Sequence, residues 1–167
     1  TSGTTGTPKG VWSGLLSGHQ AAALVAEEDE LWGFSADDRH VVCSPLHHSA
    51  PIRFAAGTLL AGGEVVVLER FTPPAFAEAV ERFAPTSAFM VPAHLHRLRA
   101  AGAPDLGSFR LVAHAGAPCP VPLKQWAIDR FPVGSLWEFY GSTEGQFTAC
   151  PAGEWADRLL PLPAGLG

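Results

Sequence analysis

Short, unbroken apolar runs separated by stretches with helical spacing organise this chain. Val41 to Cys43, Glu64 to Leu68, Ser87 to Val91, Leu111 to His114 and Leu136 to Tyr140 do not alternate polar with apolar positions. A strand with one wet face would alternate, so these runs predict strands buried on both faces. Helices are predicted over His19 to Leu31, Phe54 to Leu60, Pro73 to Phe83, Pro92 to Arg99 and Val121 to Arg130. Ala21 to Ala26 supply strong helix formers in the first of these, and Pro73 suits a first turn, where its missing N–H is not needed. Gly62-Gly63 stops one helix, and Asp37, Asp38 and Arg39 form a turn ahead of the first strand. The order strand, helix, strand predicts an α/β fold, a largely parallel sheet covered by helices. No repeat of fixed period interrupts it, and the Pro/Gly-rich stretch Pro151 to Gly167 reads as a tail.

Composition narrows the partners without naming one. The chain has 167 residues, 47% of them hydrophobic and 16% charged, enough for one domain with a sizeable core. A formal charge of -5 argues against nucleic acid, which a basic surface would have to hold. The longest apolar stretches, Ala21 to Ala26 and Phe54 to Ala61, fall short of the roughly 20 residues that a membrane span requires. Cys43, Cys119 and Cys150 are far apart and form no C-x-x-C group, which speaks against a disulfide framework or a zinc site and predicts free thiols in a cytoplasmic protein. Glu27, Glu28, Asp29 and Glu30 point in different directions on a helix, so a solvated end is expected there rather than a shared ion.

Candidate chemistry gathers at four places. The first is the opening decapeptide Thr1-Ser2-Gly3-Thr4-Thr5-Gly6-Thr7-Pro8-Lys9-Gly10. Its glycines let successive backbone N–H groups converge on an anion, its hydroxyls add rotatable donors, and Lys9 adds a cation for a terminal phosphate. Lys9 follows Pro8 and precedes Gly10, so this is not the G-x-x-x-x-G-K-[ST] loop. The second is Pro45-Leu46-His47-His48-Ser49-Ala50-Pro51, at a strand end. Adjacent histidines seldom share one ion, and no third ligand stands at finger spacing. The third is His114-Ala115-Gly116-Ala117-Pro118, whose small residues and proline leave rigid backbone against which a flat ring can lie, or simply turn the chain into a helix. The fourth, Tyr140-Gly141-Ser142-Thr143-Glu144-Gly145, combines an aromatic face, hydroxyls and a carboxylate able to bind a hard cation.

The first and fourth of these resemble the two hallmark segments of the adenylate-forming superfamily, which includes acyl-CoA synthetases, peptide-synthetase adenylation domains and luciferases. The resemblance implies that Thr1 to Lys9 form a mobile loop on the β- and γ-phosphates of ATP. It implies adenine contacts by Gly116, Ala117 and Pro118, adenine stacking by Tyr140 beside Gly141 and Ser142, α-phosphate binding by Thr143, and Mg²⁺ coordination by Glu144. Thr143, Glu144 and Lys9 would carry the catalysis. The histidine segment is similar to the family's Pro-Leu-aromatic-His, which places His48 beside the acid being activated; His47 departs from the usual Phe or Tyr. Glu138-Phe139 stands where many relatives have Gln-Gly or Asn-Gly, and Phe139 there resembles the fatty acyl-CoA and bile-acid-type ligases.

The resemblance implies an acid–thiol ligase: a carboxylic acid, fatty or related, attacks ATP to give an acyl-adenylate, and coenzyme A as co-substrate then displaces AMP. It spans nearly the whole chain, Thr1 to about Gly145 firmly, with Trp155 to Gly167 similar to the start of the family's next Gly-containing segment, and implies that residues 1–167 are part of the family's large N-terminal AMP-binding (adenylation) domain. The family's later ribose-binding aspartate motif, its hinge and its lysine-bearing C-terminal domain have no counterpart in these residues, so the chain alone is not expected to turn over. Two rival readings remain, a peptide-synthetase adenylation domain and a non-catalytic nucleotide-binding module. Against the first, neither Pro45 to Pro51 nor Leu136 to Tyr140 offers an Asp for an amino acid's ammonium group.

Overall fold

The computed structural model describes residues 6, 7, 10, 12, 14–142 and 145–158. Six strands form one sheet in the order β2-β1-β3-β4-β5-β6, with β1 Arg39–Val42, β2 Glu64–Val67, β3 Ser87–Met90, β4 Leu111–His114, β5 Leu136–Ser142 and β6 Gly145–Pro151. The first five run parallel and β6 pairs antiparallel with β5. The predicted α/β architecture is therefore present, with one antiparallel strand at its edge.

Among the described residues six helices accompany these strands: α1 Gly18–Trp32, α2 Ser49–Leu60, α3 Pro73–Phe83, α4 Pro92–Ala101, α5 Val121–Arg130 and α6 Ala152–Arg158. Local chemistry explains several of their limits. The Ser17 side chain accepts from Gln20 N–H at 3.3 Å to start α1, which ends on Gly33 in the left-handed conformation. Thr72 caps α3 by accepting from Ala75 N–H at 3.2 Å, with proline in the first turn. Helix α2 begins five residues before the expected Phe54, because Pro51 falls within its first turn and does not block it. The stretch read as a tail from Pro151 holds the end of β6 and α6 instead.

The crossover β1-α2-β2 runs to one side and β3 then pairs on the other side of β1, so α2 and α3 cover opposite faces. On one face Phe76 of α3, Leu95 and Leu98 of α4, and Leu123 of α5 pack on Val112 and Leu136 of the sheet. On the other, Trp32 of α1 and Phe54 of α2 pack on Phe89, Ala113 and Phe139. No helix among the described residues is long and apolar enough to cross a membrane.

Asp38 fastens the end of the sheet where the parallel strands begin. Its carboxylate accepts from Arg110 Nε at 2.7 Å, Thr86 Oγ1 at 2.7 Å and Ser35 N–H at 2.9 Å. Arg39 N–H donates to Thr86 Oγ1 at 2.9 Å, so one acid orders the lead-ins of β1, β3 and β4. Burial by itself would raise its pKa, but the Arg110 and Thr86 contacts hold the carboxyl below its ordinary value.

Candidate functional site

Strand order reverses between β1 and β3, and open α/β sheets bind ligands at such a switch, beyond the carboxyl ends of the strands. A cleft of about 650 Å³ lies there. Loop residues Ser44, His47 and His48 follow β1 into it, Phe89 and Val91 come from the end of β3, and Ala115 and Gly116 follow β4. Phe139, Gly141 and Ser142 complete it from β5. The structure thus brings together predicted residues from three separate segments: His48, Gly116, Phe139, Gly141 and Ser142.

The loop after β1 is placed by α2, whose N-cap is His48. The rings of His47 and His48 lie 4.3 Å apart, both exposed. They form a polar rim over an apolar floor of Phe89 and Phe139. Phe139 is 8% exposed, with ring centroids 5.7 Å from Phe89, 5.9 Å from Trp32 and 6.2 Å from Phe54. This aromatic stack closes the cleft beneath, between the sheet and α2.

Two positions at the cleft call for glycine, Gly116 through its positive φ and Gly141 through close backbone approach. Gly116 has φ 89°, and a Cβ there would stand 3.3 Å from Val91 Cγ1. At Gly141 a Cβ would meet the Gly145 carbonyl oxygen at 2.8 Å, where the β5–β6 register shifts. Larger residues would displace the loop after β4 and the β5–β6 hairpin.

Tyr140 follows Phe139 and so faces the other side of the sheet, where its side chain is 70% exposed. Ala117 and Pro118 are exposed in the loop leading toward α5 and do not line the cleft. Thr1 to Thr5, Pro8, Lys9, Thr143 and Glu144 lie outside the described residues; Gly6 and Thr7 lie within them and are exposed. Ser142 at the cleft and Gly145 opposite it are the strand residues that flank Thr143 and Glu144.

Beneath the Tyr140 face lies a charged group that motif reasoning passed over. Lys124 of α5, fully buried, donates to Glu138 Oε2, while Glu138 Oε1 is 4.0 Å from Nδ1 of buried His114. Burial, and then the Lys124 charge, push the His114 pKa down to about 4 against the opposing pull of Glu138. His114 is therefore neutral at pH 7, and the ion pair is that of Lys124 with Glu138. Nothing in the sequence around Lys124 marks it, since its partners are 10 and 14 residues away along the chain.

Cys43 and Cys119 do not read as nucleophiles. Burial raises the pKa of Cys43 and of Cys119, keeping both protonated. Among the described residues no group of three His, Cys, Asp or Glu could hold a metal ion. A larger groove, about 790 Å³, runs between α1 and α2 beside the Arg53–Glu28 ion pair, but its walls are chiefly aliphatic and it holds none of the four motif segments.

Fold and cleft together define an α/β protein with a largely parallel sheet and a cleft at the topological switch point. Comparison with known proteins makes this specific: the model of the AMP-binding enzyme family matches residues 1–164, and the chain belongs to that family. It is 34% identical over 149 residues to a medium/long-chain-fatty-acid–CoA ligase of Mycobacterium tuberculosis, covering 86% of this chain and 25% of that protein. It is 35% identical over 150 residues to a feruloyl-CoA synthase of Amycolatopsis, covering 86% and 29%. Among solved structures, O-succinylbenzoate coenzyme A synthetase from Bacillus subtilis, in complex with ATP and magnesium ion, aligns with a TM-score of 0.78 at 25% identity. That alignment covers 94% of this chain and 32% of the other. The chain thus spans about a quarter to a third of the length of these relatives.

Proposed function

We propose that this chain is the nucleotide- and acid-binding part of an acid–thiol ligase, which joins a carboxylic acid to ATP as an acyl-adenylate and then passes the acyl group to coenzyme A. The observation that carries the reading is the convergence of three motif segments on one cleft at the switch point. A carboxylate oxygen of the acid attacks the α-phosphorus, and the bond to pyrophosphate breaks. The coenzyme A thiol, losing its proton, then displaces AMP from the acyl carbon. Catalysis of this kind rests on positioning and charge neutralisation.

In this reading the acyl group lies against Phe89 and Phe139 with its carboxylate near His48, and adenine lies between the Gly116–Pro118 loop and Tyr140. Thr1 to Lys9 take the β- and γ-phosphates, and Thr143 the α-phosphate. Glu144, a hard oxygen donor, suits Mg²⁺, which would neutralise charge on the departing pyrophosphate. The apolar floor supports a fatty or related hydrophobic acid. Among the described residues the cleft lining contains no Asp or Glu that could meet an amino acid's ammonium group, which favours a plain carboxylic acid over the amino acid of a peptide synthetase. Feruloyl-CoA synthase and fatty-acid ligase relatives support the same class. The ribose-binding motif, hinge and lysine domain of the family would complete the enzyme outside these residues, in the cytoplasm.

The deciding experiment is acid-dependent exchange of pyrophosphate into ATP by the full-length gene product across fatty, aryl and amino acids. Glu144→Gln should remove most exchange while leaving the circular dichroism spectrum and the affinity for a non-hydrolysable acyl-adenylate mimic unchanged. Exchange driven only by amino acids, or undiminished by the substitution, would overturn the reading.

A further inference from the structure

The Lys124–Glu138 pair has no role in the reading above, yet it ties α5 to β5, one of the two strands from which the nucleotide motifs emerge, and lies against His114 of the other. His114 and Glu138 are register partners on β4 and β5. Two residues beyond His114 stands Gly116, and two beyond Glu138 stands Tyr140. Lys124 reaches up from α5, the helix that the Gly116–Pro118 loop leads into, donates to Glu138, and lies 4.7 Å from the centroid of the Trp155 ring on α6. Neither ring nitrogen of His114 has a hydrogen-bond partner, and the residue is wholly buried.

A fully buried lysine is uncommon, and apolar residues filling the same volume usually serve stability as well as or better than a buried ion pair. What the pair supplies is direction: the carboxylate and ammonium must meet, which sets β5 against α5 and, through the packed imidazole, against β4. Gly116 and Tyr140 each stand two residues beyond these register partners, so the placement of β4 and β5 carries on to the Gly116–Pro118 loop and to Tyr140. Of the acid wall, Phe89 and His48 come from β3 and the loop after β1, and Phe139, though on β5, projects to the face away from Lys124.

We propose that Lys124 is a positioning residue for the nucleotide: acting through Glu138 and the imidazole of His114, it sets the gap between the Gly116–Pro118 loop and Tyr140 that receives adenine. This rests on the assignment of ATP to that gap. The consequence is selective, weakening the nucleotide side of the site and sparing the acid side.

The test measures pyrophosphate exchange and calorimetric ATP binding in the full-length gene product. Lys124→Met should raise the KM for ATP at least fivefold with the KM for the acid within twofold, and Lys124→Arg should recover most of the loss. The double variant Lys124→Met/Glu138→Leu removes both charges, so it should fold and melt within a few degrees of the wild type while keeping the raised KM for ATP. A double variant with wild-type ATP kinetics, or KM values for ATP and acid that rise together in both variants, would overturn the proposal. If the wild-type protein activates acids with ATP but Lys124→Met leaves ATP binding intact, the positioning role fails and the ligase reading stands. Wild-type protein that binds no ATP would overturn both.

Discussion

Phe139 and Tyr140 are neighbours in β5 whose rings go to opposite faces of the sheet, Phe139 8% exposed over Phe54 and Phe89 and Tyr140 70% exposed. One strand end therefore presents an apolar floor to the cleft on the α2 side and an aromatic face on the α5 side. Alternation along an extended backbone is sufficient to separate them.

The floor makes the first prediction. Phe139→Ala would open the cleft toward Trp32 and Phe54, and each added methylene in an apolar pocket is worth about 1–3 kcal/mol of discrimination. The ratio of kcat/KM for long over short acids should rise tenfold or more, read in a graded acid series. The same change removes a buried aromatic side chain and should cost about 3–5 kcal/mol of stability, lowering the melting temperature. An unchanged acid profile would take Phe139 out of the pocket.

Stability at the opposite end of the sheet depends on Asp38 and Arg110. Arg110→Leu leaves a carboxylate that is 1% exposed with only Thr86 and Ser35 as partners. Because an uncompensated buried charge is worse than a missing pair, the loss should be about 3 kcal/mol, and larger than for Asp38→Asn, which leaves a half-exposed guanidinium behind. Urea denaturation of the two variants checks the order. Arg110→Leu should also raise the Asp38 pKa, making the variant less sensitive to acid through this group while it is weaker at neutral pH.

Acid should weaken the fold through buried histidines. His40 is wholly buried, shares a 3.0 Å hydrogen bond between Nδ1 and Ser87 Oγ, and has its pKa pushed down to about 4 by burial despite the nearby Asp38 charge. The unfolded chain binds the proton first, so stability is intact above about pH 6.5 and declines as pH falls toward 4. The decline from this group alone should reach on the order of 3 kcal/mol at the acid limit. His114, shifted the same way, adds to it. Urea midpoints at pH 7.5, 6 and 5 should fall in that order, and His40→Phe, which keeps the ring stacked on Phe54, should flatten the slope.

Much of the fold was legible in the sequence where the signal is local. Pro73–Phe83, Leu111–His114 and Val121–Arg130 have the limits expected of them, because prolines in the first turns and apolar runs act within a few residues. The start of α2 was missed because Ser49-Ala50-Pro51 reads as loop when Pro51 is taken for a breaker rather than a first-turn residue. Strand β6 was missed because its order comes from pairing with β5 across the chain, which no single-segment pattern reveals.

The candidate site divides along the same line. Glycine placement, hydroxyls and the tyrosine are local chemistry, so the four segments could be singled out as candidates from their residues, while their roles came from the resemblance. That Phe89 and Val91 join them, that Phe139 lies on one face and Tyr140 on the other, and that Lys124 meets Glu138 beneath His114 were decided by tertiary structure. Residue type and spacing encode what a segment can do within a turn or a strand; which segments meet depends on strand order and on the faces that the crossovers leave open, and those are properties of the packed sheet.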